Sequence, residues 1–447
     1  MYGMKNLLKL YISKFRAIEE ADLDLKGITV VTGVNGCGKS TLSKFLYYSF
    51  KTVNEFDRIV INDLNEDLAE IRNFVFILRQ EIKRVKNYNT DGNMLNDVSV
   101  RYRQVRKMTY TLADKDNILS ELQSMENEYM ELYKHSFGVP SSSSKRLVNI
   151  LEDILSTDGS VKDFPSLMNG LYNRIEEIFY RYAMVSETRP SEMVEDELAA
   201  AFDYGDIPEH YSISEYGDAV IGNDVKHISY FHTIKNSVYI DTPMLLGADF
   251  YYKGYWDDVN RLLKKNNAGN LDTSPVSSII LSQIIKGESN YQEDDVLTDR
   301  FVFTTQTGKT YNLLDCATGV KSFSILQMLL KNGFMSGNTF LIIDEPEVHL
   351  HPQWVVEYAR LIVLLNKYLG VKFLVASHNP DMVSAIKYIS VKEQVSNVLN
   401  FYLAEPADSN EESYRYRNLG LDINPIFESF NIALDRINLY GVSDDEE

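Results

Sequence analysis

The run Ile28-Thr29-Val30-Val31-Thr32, continued by Gly33-Val34-Asn35-Gly36-Cys37-Gly38-Lys39-Ser40-Thr41, decides how the chain is read. Five residues rich in β-branched side chains predict a strand, and Thr41 to Phe50 predicts a helix. Between them stands the pattern G-x-x-x-x-G-K-[ST]. Glycines at 33, 36 and 38 let the backbone turn tightly enough to aim several N–H groups at one point, and the following helix brings its positive dipole end to the same place. Asn35, Gly36, Cys37, Gly38, Lys39, Ser40 and Thr41 are therefore the expected surround of a phosphate chain. Lys39 would reach the terminal phosphates, the Ser40 hydroxyl would be a Mg²⁺ ligand, and Thr41 would continue the first helical turn.

Chemistry on such a phosphate chain needs carboxylates, and they come some 300 residues later. Thr339-Phe340-Leu341-Ile342-Ile343-Asp344-Glu345-Pro346 is a continuous apolar run, as in a parallel strand buried on both faces, and it ends in two acids. Asp344 would act on the metal through its water shell, and Glu345 would orient or deprotonate the attacking water. The plainer alternative is that these acids cap the next helix. Val371 to Ser377 predicts another buried strand leading into His378, which can donate a hydrogen bond to a terminal phosphate and so sense it. Gln353 to Leu369, stopped by Gly370, predicts the crossover helix between those two strands.

One more turn precedes an apolar helix: Leu313-Leu314-Asp315-Cys316-Ala317-Thr318-Gly319-Val320-Lys321-Ser322. It resembles the signature motif of ATP-binding-cassette (ABC) ATPases, with Thr318 in the serine place, Gly319 in the first glycine place and Lys321 in the last. Val320 departs from the second glycine, and Thr318 from the commoner serine. The order of phosphate loop, signature-like turn, Asp-Glu strand and histidine resembles an ABC-type ATPase head. Asp344-Glu345-Pro346-Glu347-Val348-His349-Leu350-His351-Pro352 is similar to the OLD-type and RecF-like branch, many of whose members serve bacterial anti-phage systems. The resemblance covers roughly residues 5 to 50 and 228 to 438. It implies ATP and Mg²⁺ as cofactors, catalytic roles for Glu345 and His378, metal contacts from Ser40 and Asp344, and heads that associate into homo-oligomers with Thr318, Gly319 and Lys321 on a neighbour's phosphates.

The fold class expected is α/β: an ABC-type head with a mixed, mainly parallel sheet, interrupted by a mostly helical insertion. The head would occupy 1–50 and 228–447, and the insertion 51–227. Ile118, Leu119, Leu122, Met125, Tyr129 and Leu132 carry helical spacing within the insertion. Pro140 to Lys145 predicts a turn, and the acid-rich Ser186 to Asp218 predicts a solvated loop or a surface for a basic partner. Arg300 to Leu314 predicts a hairpin around Thr307-Gly308. His349 and His351 stand two apart, which does not place them on one helix face as a metal pair.

The chain has 447 residues, two cysteines and a formal net charge of −19. No apolar run approaches the roughly 20 residues that span a bilayer, and Met1 to Lys14 lacks a signal peptide, so the expectation is a cytoplasmic protein without a membrane partner. An acidic chain repels nucleic acid unless its bases cluster. Two clusters keep that partner open: Arg79, Lys83, Arg84 and Lys86, and then Arg101, Arg103, Arg106 and Lys107; the first also suits a solvated helix face. Related OLD-type proteins carry a C-terminal nuclease domain, whereas about 70 residues follow His378 here. The leading expectation is thus an ATPase sensor or scaffold that controls a separate effector protein, such as a nuclease, in anti-phage defence. The alternatives are a RecF-like DNA repair or clamp ATPase acting directly on DNA, and a nucleotide-gated assembly protein that binds without turnover.

Overall fold

The computed structural model describes residues 8–88, 109–135, 142–157, 163–202, 205–247, 254–265, 278–279, 283–292, 300–407 and 412–428. The chain divides into two compact units, one of Met1–Asn54 with Pro190–Glu447, the other Glu55–Arg189.

The strands of the first unit, in chain order, are β1 (Leu8–Phe15), β2 (Ile18–Asp24), β3 (Ile28–Thr32), β4 (His210–Glu215), β5 (Asp218–Gly222), β6 (Asn236–Ile240), β7 (Gly287–Gln292), β8 (Arg300–Thr305), β9 (Thr310–Asn312), β10 (Thr339–Asp344), β11 (Lys372–Ala376), β12 (Leu399–Pro406) and β13 (Tyr414–Gly420). Ten of them form one mixed sheet in the order β5-β4-β1-β2-β13-β12-β3-β11-β10-β6. The block β12-β3-β11-β10-β6 is parallel throughout, while β1 pairs antiparallel with β2 and β4. The fold class is α/β. Strands β3 and β10 are buried at every residue, which is why they read as unbroken apolar runs rather than alternating ones. β7, β8 and β9 make a separate antiparallel sheet, with Gly308 at φ 83° in the β8–β9 turn, where a left-handed residue is needed.

Helix α1 (Lys39–Asp67) starts in the first unit and ends in the second. The second unit continues with α2 (Ala69–Tyr88), α3 (Lys115–His135), α4 (Ser142–Ile154) and α5 (Phe164–Thr188). Its core is a run of helix faces: Phe74 and Leu78 from α2, Ile118, Leu122, Met125 and Tyr129 from α3, Leu147 and Leu151 from α4, and Leu171 and Ile175 from α5. The spacing of three and four in each set is what one buried helix face requires. The first unit adds α6 (Ser191–Ala201), α7 (Tyr255–Leu263), α8 (Thr318–Lys331), α9 (Pro352–Leu369) and α10 (Pro380–Lys392). α9 is the crossover between the parallel pair β10 and β11, and it closes at Gly370 with φ 71°. No described helix is long and apolar enough to cross a membrane.

Three sequence expectations need correction. The insertion expected over 51–227 includes β4 and β5, which extend the large sheet through β1, so the helical unit stops at Arg189. Ser186–Asp218 is not one solvated loop: it holds the end of α5, α6 and β4, and Arg189 within it is buried against Phe56 and paired with Asp57. The serines after Pro140 open helix α4 instead of making a turn up to Lys145. Of the basic clusters, Arg79 pairs with Glu121 and Arg84 with Glu81, whereas Arg101 to Lys107 lie outside the described residues.

Candidate active site

The strand β3 ends at Thr32, and the loop that follows turns on three glycines at positive φ: Gly33 (150°), Gly36 (84°) and Gly38 (94°). A side chain at Gly33 would stand 2.8 Å from the Cys37 sulfur, and one at Gly38 would stand 2.7 Å from Ile18. Only glycine fits both the conformation and the space. Lys39 is buried, and its ammonium donates to the Gly33 and Val34 carbonyls at 2.9 and 3.0 Å, which holds the charge in the middle of the loop. The N-terminus of α1 begins at the same residue.

This loop walls a cavity of about 370 Å³ lined by Arg16, Ala17, Asn35, Gly36, Gly38, Lys39, Ser40, Thr41 and Glu345. Glu345 follows β10 with φ 49°, a left-handed conformation that costs a non-glycine residue on the order of 1–3 kcal/mol and clusters at functional sites. The strain is held by the Glu345 N–H, which donates to the Ala376 carbonyl at 2.8 Å. Across from it, the His378 Nδ1 stands 3.2 Å from the Glu345 Oε1 and 3.6 Å from the Glu347 Oε1. Glu347 is buried and accepts from the Ser377 hydroxyl at 2.8 Å and from the His378 N–H at 3.1 Å, so it ties the loop after β11 to the loop after β10. Burial pushes the Glu347 carboxyl above the usual carboxylate range, and these hydrogen bonds oppose that rise.

Asp344, the last residue of β10, is buried as well. Burial raises its carboxyl above the usual range, while the Ser40 and Tyr239 hydroxyls pull the other way. Tyr239 donates to Oδ2 at 3.0 Å, and Oδ1 is buried with no hydrogen-bond partner. An unpartnered carboxylate oxygen beside a serine hydroxyl, at the mouth of a lysine-bearing glycine loop, fits a hard divalent cation carried by a polyphosphate. The residues that would hold Mg²⁺ are Ser40 and Asp344, and the ion would supply charge neutralisation between the phosphates.

The sequence-selected residues therefore fall into two groups. Asn35, Gly36, Gly38, Lys39, Ser40, Thr41 and Glu345 share one cavity, with Asp344 and His378 beside it. The Cys37 side chain does not face it; the sulfur is buried behind the loop, and burial pushes its thiol pKa up. Thr318, Gly319 and Lys321 open helix α8 and are not in the cavity wall. Gly319 is buried where a Cβ would come within 2.5 Å of the Trp354 ring, and the Thr318 hydroxyl approaches the Met244 sulfur at 3.8 Å. His351 caps helix α9 through Nδ1 and the Gln353 N–H at 3.4 Å, and His349 sits in the turn at φ 64°. Sequence reading missed Arg16, Ala17, Tyr239 and Glu347. Arg16 lies in the β1–β2 turn at φ 53°, where no phosphate pattern marks it, and its guanidinium pairs with Asp206 at 3.0 Å.

Two family models match parts of the chain. Residues 9–155 match one described as an AAA domain, and residues 287–384 match one described as an AAA domain, putative AbiEii toxin, type IV TA system. Together with the loop geometry they support an ATPase of the P-loop class. Such domains bind nucleotide and hydrolyse ATP, and the matches bracket both the glycine loop and the Asp344-Glu345 strand end. Among solved structures, the chain aligns with the Smc head domain of Pyrococcus furiosus bound to the C-terminal domain of ScpA (10% identity, 96% of this chain and 98% of that one, TM-score 0.33). It also aligns with the SMC head domain of Thermotoga maritima (10% identity, 92% and 98%, TM-score 0.35). The fold assignment rests on the strand order above.

Proposed function

We infer that this chain is a Mg²⁺-dependent ATPase of the ABC type that acts as a sensor or scaffold and controls a separate effector protein in anti-phage defence. One observation carries the ATPase part of the reading: Glu345, held in a left-handed conformation, stands in the wall of the same cavity as Lys39 and Ser40, with His378 3.2 Å away. Lys39 binds the terminal phosphates, Ser40 and Asp344 hold the cation, Glu345 takes a proton from the attacking water, and His378 reports the γ-phosphate. ATP-driven association of heads then sets Thr318, Gly319 and Lys321 of one copy against the nucleotide of another. The defence role is supported by the resemblance of the Asp344 to Pro352 segment and by a family description that names a putative toxin.

Direct action on DNA is the competing reading. It is weakened at Arg79 and Arg84, which are already paired with Glu121 and Glu81 on helical faces. The purified chain, assayed for ATP turnover with and without duplex DNA over a salt series, separates the two. The sensor reading expects turnover unchanged by DNA, with plasmid, tRNA and rRNA left intact. Salt-sensitive stimulation by DNA would replace it with the clamp or repair reading.

A further inference from the structure

The cation site needs its carboxylate to point one way, and the side chain that settles this comes from the neighbouring strand. β6 and β10 run parallel with Tyr239 opposite Ile342, so Tyr239, Ile342 and Asp344 share one face of the sheet. A one-residue slip would turn the phenol to the other face. In this register the Tyr239 hydroxyl donates to Asp344 Oδ2 at 3.0 Å, while Oδ1 keeps no protein partner. A carboxylate can rotate about its last bond between two equivalent orientations. A hydrogen bond to one oxygen removes that freedom and leaves the other oxygen with its lone pairs uncommitted.

The phenol is itself braced. Its ring meets the Tyr255 ring edge-on, with centroids 4.6 Å apart and planes at 76°. The Tyr255 hydroxyl donates to Asp241 Oδ2 at 2.5 Å, and the Trp256 indole N–H donates to Asp241 Oδ1 at 2.8 Å. The first turn of α7 is thereby pinned to the end of β6, and it backs the ring that reaches Asp344.

We propose that Tyr239 is a positioning residue for the cation site, fixing the rotation of Asp344 so that Oδ1 is presented to the metal of a bound nucleotide. This rests on the reading that Asp344 acts on the divalent cation. The test uses the full chain as wild type, Tyr239→Phe and Asp344→Asn. It measures the affinity for a fluorescent non-hydrolysable ATP analogue, first in EDTA and then in Mg²⁺. Tyr239→Phe keeps the ring and its packing and removes only the donor. The three proteins should bind the analogue alike in EDTA. The gain on adding Mg²⁺ should be lost in Asp344→Asn and cut roughly tenfold in Tyr239→Phe, the scale of one hydrogen bond to a charged group. A full Mg²⁺ gain in Tyr239→Phe, alongside its loss in Asp344→Asn, overturns the proposal alone. Affinity lost equally in EDTA and Mg²⁺ would show that the hydroxyl serves packing and would also overturn it. A full gain in Asp344→Asn, or none in the wild type, overturns the reading of Asp344 beneath it.

Discussion

The glycine loop after β3 and the signature-like turn at the start of α8 are both helix N-termini, yet they are finished differently. The loop is complete within one chain: Lys39 is seated on two carbonyls, and Ser40, Thr41 and Glu345 line the same cavity. The α8 turn is bare by comparison. Its cap residue Ala317 offers no side-chain hydrogen bond, and Met244, Leu314 and Tyr311, which precede it in the chain, are exposed. On the function proposed above, the first site would bind phosphate within one chain, and the second would meet the phosphates of another copy.

That contrast can be broken at its strong end first. Lys39→Ala should abolish nucleotide binding, because it removes the one buried ammonium from a loop otherwise made of backbone dipoles; equilibrium titration with labelled ATP would show it, and undiminished affinity would sink the loop assignment. The weaker end calls for a gentler variant than Gly319→Asp, since any side chain at Gly319 would press on Trp354 and confuse packing with phosphate contact. Lys321→Glu avoids that. It should leave ATP affinity of the single head intact and prevent ATP from tightening contacts between heads, read by light scattering or by a distance probe if the protein is a constitutive oligomer. ATP-dependent tightening as strong as in the wild type would remove the α8 turn from the interface. The smallest effect is local. Asn379 caps α10 by accepting from the Asp381 and Met382 N–H groups at 2.8 and 3.0 Å, so Asn379→Ala should cost about 1 kcal/mol of stability in a denaturant melt. Because Asn379 adjoins His378, any larger fall in turnover would reveal that the cap also sets the histidine.

How far the sequence carried the fold depended on what each strand is packed between. β3, β10 and β11 lie within the parallel block and are buried on both faces, so their apolar runs could be read directly. The sheet edge was opaque for the opposite reason. β4, His-Tyr-Ser-Ile-Ser-Glu, alternates and carries an acid, and the count of acids in that region pointed to solvent. In the fold Glu215 is buried and accepts from the His232 and Thr233 N–H groups, so the acid is spent on a loop and not on water. In the candidate site, the glycine loop and strand-end acids announce themselves by spacing. Tyr239 and Arg16 do not, because their relevance comes from strand register and from a turn conformation that only the assembled sheet fixes.

Glu345 as the base of an ATP-hydrolysing site is the central claim to test. Glu345→Gln keeps the shape of the side chain and its left-handed backbone but cannot accept the proton of the attacking water. Single-turnover hydrolysis of prebound ATP, beside a binding isotherm for the same protein, tests this directly. The account predicts wild-type ATP affinity with a turnover rate lower by about 10² or more, the usual scale for loss of a general base. Equal single-turnover rates in Glu345→Gln and the wild type would contradict it and place the base elsewhere.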